Sequence, residues 1–115
     1  MQVQRQFRLT RSTDFKRVRQ DGKSYAHPLL VLIALKDRQS TTRIGVAAGK
    51  SVGNAVKRNR AKRLIRAAAR DLYPQISSGY DLVLIARAPI IQVKMPQVRT
   101  ALQQLLQRAN LLNEA

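Results

Sequence analysis

The segment Lys50–Leu72, KSVGNAVKRNRAKRLIRAAARDL, constrains this chain more than any other stretch. Eight of its residues are basic (Lys50, Lys57, Arg58, Arg60, Lys62, Arg63, Arg66 and Arg70), and no acid appears before Asp71. Asn54 suits an N-cap, because its side-chain oxygen can accept a backbone N–H left orphaned in the first turn. Good helix formers then run from Ala55 to Leu72, and Pro74 stops the helix. At about 100° per residue, Ala61, Leu64, Ile65, Ala68 and Leu72 share one face. Arg58, Asn59, Lys62, Arg63, Arg66 and Arg70 cover much of the opposite arc. One face packs, and the other is a cationic ridge. Each like-charged pair four residues apart costs about a few tenths of a kcal/mol, and no interleaved carboxylate relieves it. A polyanionic partner supplies the missing charge. A face that served only solubility would not need same-sign clustering.

The rest of the composition agrees. The chain has 115 residues, enough for one domain with a single modest core, here taken as 1–115. It carries 22 Lys and Arg against six Asp and Glu, a formal charge of +16, while 44% hydrophobic residues argue against wholesale disorder. A folded domain this basic points first to nucleic acid and second to an anionic membrane surface. Without cysteine there is no disulfide and no thiolate zinc site, which is compatible with the cytoplasm. The N-terminus, MQVQRQFRLTR, lacks the apolar core of a signal peptide. No apolar run approaches the roughly 20 residues needed to span a bilayer.

Taken in order, residues 1–11 read as an extended basic arm with Phe7 and Leu9 as isolated apolar contacts. A short helix is expected from Ser12 or Thr13 to Gln20, with Asp14 in its first turn and Gly22 as its stop. Phe15, Val18 and Arg19 share a face there. Phe15 suits either base stacking or an ordinary core role. Residues 23–26 fit a short strand. Leu29 to Leu35 reads as a central strand and Arg43 to Ala48 as the next, with Gly45 permitting close backbone approach or a bulge. The short connection predicts that these two strands pair antiparallel. After the basic helix, Tyr80 to Arg87 reads as a buried strand and Ala88 to Lys94 as a loop. From Pro96, the positions Val98, Ala101, Leu102, Leu105, Leu106 and Ala109 mark an amphipathic last helix. The predicted order is α-β-β-β-α-β-α, an α+β sandwich with helices mainly on one side of a sheet.

Catalytic chemistry is hard to find. The single histidine, His27, lies beside a proline and reads as a loop residue. Asp14, Asp21, Asp71 and Asp81 suit capping and turn roles at element ends. A metal hydrolase would need clustered His, Asp or Glu ligands, so neither catalytic nor metal-binding residues are expected. The stretch Gly45 to Ser51, GVAAGKS, approximates a phosphate loop, but only three residues separate its glycines where the motif needs four. A binder is therefore favoured over a self-sufficient catalyst.

The block KSVGNAVKRNRAKRLIRAAAR resembles the signature of the bacterial ribonuclease P protein subunit. Its core is Arg58-Asn59-Arg60, followed by Lys62-Arg63-Leu64-Ile65-Arg66. RIGVAAGKSVGNAV resembles the strand and turn that lead into it. FRLTRSTDFKRV resembles the family's first helix and YDLVLIARAP its last strand, so the likeness spans roughly residues 7 to 110. It implies a four-stranded, ribosomal-protein-S5-domain-2-like sandwich whose βαβ unit crosses left-handed, against the usual tendency. It also implies a division of labour in removing 5′ leaders from precursor tRNA. A catalytic RNA subunit holding Mg²⁺ cuts, and the protein binds that RNA and the leader, as a monomer in a 1:1 cytoplasmic ribonucleoprotein without membrane contact. The residues implied for the RNA-subunit face are Lys50, Asn54, Lys57, Arg58, Asn59, Arg60, Lys62, Arg63 and Arg66. Those implied for a leader cleft between the first helix and the sheet are Arg11, Phe15, Val18, Arg19, Tyr25, Leu29 and Val31. Many relatives carry further aromatics at the positions of Arg19 and near Ile33, so leader grip here is expected to lean more on charge. The alternative is a non-enzymatic RNA-binding protein of ribosomal type. A lipid binder is disfavoured because the basic helix lacks Trp and Phe on its apolar face.

Overall fold

A computed structural model describes residues 8–37 and 40–113. Seven main elements follow one another: α1 (Ser12–Asp21), β1 (Lys23–Ala26), β2 (Leu30–Lys36), β3 (Arg43–Ala48), α2 (Ala55–Leu72), β4 (Tyr80–Ala86) and α3 (Met95–Arg108). The α-β-β-β-α-β-α order is the expected one. Short 3₁₀ turns at Lys50–Val52, Tyr73–Gln75 and Ala88–Gln92 join them. The predicted arm ends against the sheet, where Leu9 N–H donates to the Ile44 carbonyl at 3.0 Å and Leu9 is buried. Phe7 and the residues before it lie outside the described residues.

The sheet order is β1-β2-β4-β3, which corrects the expected pairing of the second and third strands. They do run in opposite directions, but β4 lies between them, antiparallel to β2 and parallel to β3. The physical reason is burial. Asp81, Leu82, Val83 and Leu84 of β4 are all buried, so this strand needs a neighbour on each edge. The α2 crossover then places β4 beside β3.

Strand alternation divides the apolar residues into two cores. On one face Leu30, Leu32, Ile44, Leu82, Leu84 and Ala86 meet Ala61, Ile65, Ala68, Ala69 and Leu72 of α2 and Val98, Ala101, Leu102, Leu105 and Leu106 of α3. Each fully buried Leu or Ile contributes about 1.5–3 kcal/mol. The predicted apolar faces of both helices are the packed ones, except that Leu64 and Ala109 stay half-buried. On the other face α1 covers a smaller core of Leu9, Val18, Ile33 and Val83. Two helices thus lie on one side and one on the other.

Candidate nucleic-acid interface

Helix α2 starts where its sequence predicts. The Asn54 side chain accepts from Lys57 N–H at 3.0 Å, and the chain reaches that cap through Gly53, whose φ of +133° side chains rarely adopt. Arg58 Nη1 donates back to the Gly53 carbonyl at 2.9 Å. Asn54 thus acts as the expected N-cap, and Arg58, expected only as an RNA contact, also builds the turn that launches the helix. Burial of Ala61, Ile65, Ala68 and Leu72 turns the basic arc outward. Lys50, Lys57, Asn59, Arg60, Arg63 and Arg66 are exposed, and Lys62 is half-buried. No salt bridge joins any of them to a carboxylate among the described residues. Among the described residues the ridge has no counter-charge of its own.

The second surface is on the α1 side of the sheet. Register aligns Ala26, Val31, Ile85 and Ala47 in one row across all four strands. Helix α1 covers the next row, where Ile33 and Val83 are buried, and leaves this one partly open, with Val31, Ile85 and Ala47 half-buried. At the far end of the sheet, Arg17 of α1 binds the Asp81 carboxylate and also reaches Asp14. This fixes the helix roll. Asp14 and Arg17 face the Asp81 end, so Phe15 and Arg19, about 100–140° around from Asp14, face the open row. Phe15 and Arg19 line a shallow pocket there with Thr10, Ser12, Lys16 and Gln20, and Phe15 packs on the same small core as Val31 and Ile85, so an aromatic and cationic wall adjoins an apolar floor. Arg11 is exposed at the start of α1, where its carbonyl accepts from Asp14 and Phe15 N–H at 3.1 and 3.2 Å.

Phe15 sits close over Gly45, so that a Cβ there would lie 2.5 Å from Phe15 Cζ. Gly45 thus serves close approach, by a ring rather than by backbone. Three expected groove residues are corrected. Val18 is fully buried beneath α1 and offers nothing to a ligand. Tyr25 is opposite Leu32 in register and packs on the α2/α3 core. Leu29 precedes β2, in the turn, and packs on that same core. Val31 does line the floor, together with Ile85 and Ala47, which sequence reasoning missed. Strand parity carried that signal once Val31 was placed. His27 is a turn residue, its Nδ1 accepting from Leu29 N–H at 3.1 Å.

Asp81, which the sequence suits to a turn role, is instead a buried hub of the sheet. It is fully buried and accepts from Arg43 Nε at 2.9 Å and Nη2 at 2.8 Å, as well as from Arg17. Burial pushes its pKa up, but the hydrogen bonds and charges of Arg43 and Arg17 outweigh that and hold it below the usual carboxylate range. The hydrogen bond to Asp81 in turn raises both guanidinium pKa values above an already high norm. The available signal was an acid one step inside an otherwise apolar strand, since buried acids are almost always paired.

An unsatisfied cationic helix crossing between adjacent parallel strands, with an apolar groove on the opposite face, defines a small α+β RNA-binding protein. The Ribonuclease P family profile matches residues 3–110. The chain is 42% identical over 112 residues to the ribonuclease P protein component of Herpetosiphon aurantiacus, covering 97% of this chain and 91% of that one. It is 40% identical over 114 residues to that of Roseiflexus castenholzii, covering 98% and 93%. Among solved structures, the Staphylococcus aureus RNase P protein superposes with a TM-score of 0.83 at 30% identity, over 93% of this chain and 98% of that one. The Thermotoga maritima RNase P protein gives 0.79 at 30% identity, over 88% and 96%. The chain belongs to the ribonuclease P protein component family.

Proposed function

We propose that this chain is the protein subunit of ribonuclease P and assists endonucleolytic removal of the 5′ leader from precursor tRNA. The exposed face of α2 binds the catalytic RNA. The groove between α1 and the row Ala26–Val31–Ile85–Ala47 holds the single-stranded leader, with Phe15 as a stacking surface and Arg11 and Arg19 meeting phosphates. Guanidinium groups suit this work because they bind phosphate oxygens in pairs and read RNA through its backbone. The observation that carries the proposal is the α2 ridge, a run of cations with no salt-bridge partner among the described residues, in a chain of this family.

The hydrolytic step is assigned to the RNA subunit, which would hold the Mg²⁺ and with it the Lewis acidity that phosphodiester hydrolysis draws on. The residues here do not fit as a cage for that ion. Among those described, no three His, Asp or Glu side chains cluster, and both oxygens of Asp81 are taken by arginines. The protein's part is to neutralise phosphates and position the leader. It does so as a monomer in a cytoplasmic 1:1 ribonucleoprotein away from membranes. Among the described residues no helix is long and apolar enough to cross one.

The test is cleavage of precursor tRNA at low Mg²⁺ by a matching catalytic RNA, with and without this chain. Added protein is expected to restore cleavage at the correct 5′ end. An RNA whose cleavage is indifferent to the protein, or cleavage by the protein free of RNA, overturns the proposal.

A further inference from the structure

A cavity of about 470 Å³ opens between α2 and the outer edge of β3, and it includes residues outside both surfaces described above. Its walls combine apolar side chains, Val46 of β3 and Ala67 of α2, with four arginines, Arg8, Arg63, Arg66 and Arg70. Among the described residues no carboxylate lines it. Arg63, Arg66 and Arg70 follow one another at intervals of three and four along α2, so they form one rail. Arg8 faces that rail from the arm.

The strand edge adds a polar feature. Along a strand, alternate residues direct both backbone groups to the same side. The Ile44 carbonyl accepts from Leu9 N–H on the outer side, so the N–H and C=O of Val46 face outward too. Among the described residues no backbone group pairs with them. The cavity therefore offers one donor and one acceptor side by side, beneath a ring of guanidinium groups and against an apolar wall.

We propose that this cavity takes one unpaired, extruded nucleotide of the catalytic RNA. The base enters between Val46 and Ala67, its polar edge meets the Val46 backbone, and the flanking phosphates rest on Arg8 and Arg70. The volume lies within the range of small-ligand sites. Unstacked bases commonly stack on guanidinium planes and present their hydrogen-bonding edges to protein. A duplex alone would contact the rail but could not fill the slot. The inference rests on the reading of α2 as the RNA-subunit face and extends it from phosphate contact to recognition of an unpaired position.

The test measures binding of wild type, Ala67→Trp and Arg70→Gln to the matching catalytic RNA across a salt series, with circular dichroism and urea unfolding as fold controls. Filling the slot with Ala67→Trp is expected to weaken binding about tenfold, the scale of one lost base stack, with the salt slope unchanged. Arg70→Gln is expected to flatten the log–log salt slope by about 0.7–0.9. Wild-type affinity in a folded Ala67→Trp protein overturns the cavity inference while leaving the proposed function standing. Failure of the wild-type chain to bind the catalytic RNA overturns the proposed function itself. If tryptophan disturbs the fold, Ala67→Leu is read by the same criteria.

Discussion

The Asp81 carboxylate receives both Nε and Nη2 of Arg43, at 2.9 and 2.8 Å, so a bidentate pair ties β3 to β4 inside the sheet. Arg17 closes on the same carboxylate from α1. One buried charge thus cross-links two paired strands and fixes the roll of the helix that walls the groove. Removing it leaves Arg17 and Arg43 with only their longer contacts to Asp14 and Asp37, each at 3.4 Å. Asp81→Asn should lose about 3 kcal/mol, the lower end for a broken buried pair, because the Arg43 and Arg17 side chains keep 21% and 35% of their exposure. Urea unfolding measures this. A loss under about 0.5 kcal/mol, as for an ordinary surface substitution, would refute the hub role.

The same group predicts an acid response. A carboxylate whose folded pKa lies below its unfolded one stabilises the fold above the unfolded value and loses that contribution as pH falls through the folded value. Asp81 is held low by Arg43 and Arg17 against the opposing effect of burial. Its contribution should therefore be complete at neutral pH and decline only below about pH 4, where an unfolded aspartate protonates. The urea midpoint of the wild type should fall in that window, and Asp81→Asn should fall less. Parallel acid profiles for the two proteins would contradict the assignment.

Gly45 and Phe15 make a second testable pair. A methyl group on Gly45 would lie 2.5 Å from Phe15 Cζ and 3.0 Å from Leu9 Cβ. Gly45→Ala must displace the ring and should cost about 1–3 kcal/mol, as overpacked cores do. It should also weaken binding of precursor tRNA to the assembled ribonucleoprotein, because the displaced ring forms the groove wall. Phe15→Ala should weaken precursor tRNA about 5-fold or more, the loss of roughly one stacking contact, and mature tRNA far less. Equal losses for both RNAs would make Phe15 a packing residue only.

Much of this arrangement was legible in the sequence. Helix α2 was readable to the residue because Asn54, Ala55 to Leu72 and Pro74 carry local capping, propensity and stop signals. Helix α3 was readable from its apolar period. What escaped depends on non-local pairing. The β2–β3 link looked like a hairpin, and nothing local in Arg43–Ala48 says that a strand more than 30 residues later will wedge in beside it. Tyr25 lies on the opposite face from Val31 because the β1–β2 register sets it against Leu32, and Leu29 falls in the turn before β2 rather than on the strand. Asp81 looked like a turn residue because its partners, Arg17 and Arg43, are 64 and 38 positions away.

Arg58 and Arg60 separate folding from RNA binding. Both belong to the basic block, yet Arg58 donates to the Gly53 carbonyl while Arg60 is exposed. Arg58→Ala should lose about 1 kcal/mol of stability, the scale of one net hydrogen bond. Arg60→Ala should stay within about 0.5 kcal/mol of wild type. Both should weaken assembly with the catalytic RNA and flatten its log–log salt dependence by about 0.7–0.9 per lost phosphate contact. Urea unfolding gives the first difference, and filter binding across a salt series gives the second. The pattern expected is one variant impaired in both assays and the other in binding alone. Full activity of both at limiting protein would remove the α2 ridge from the assembly interface.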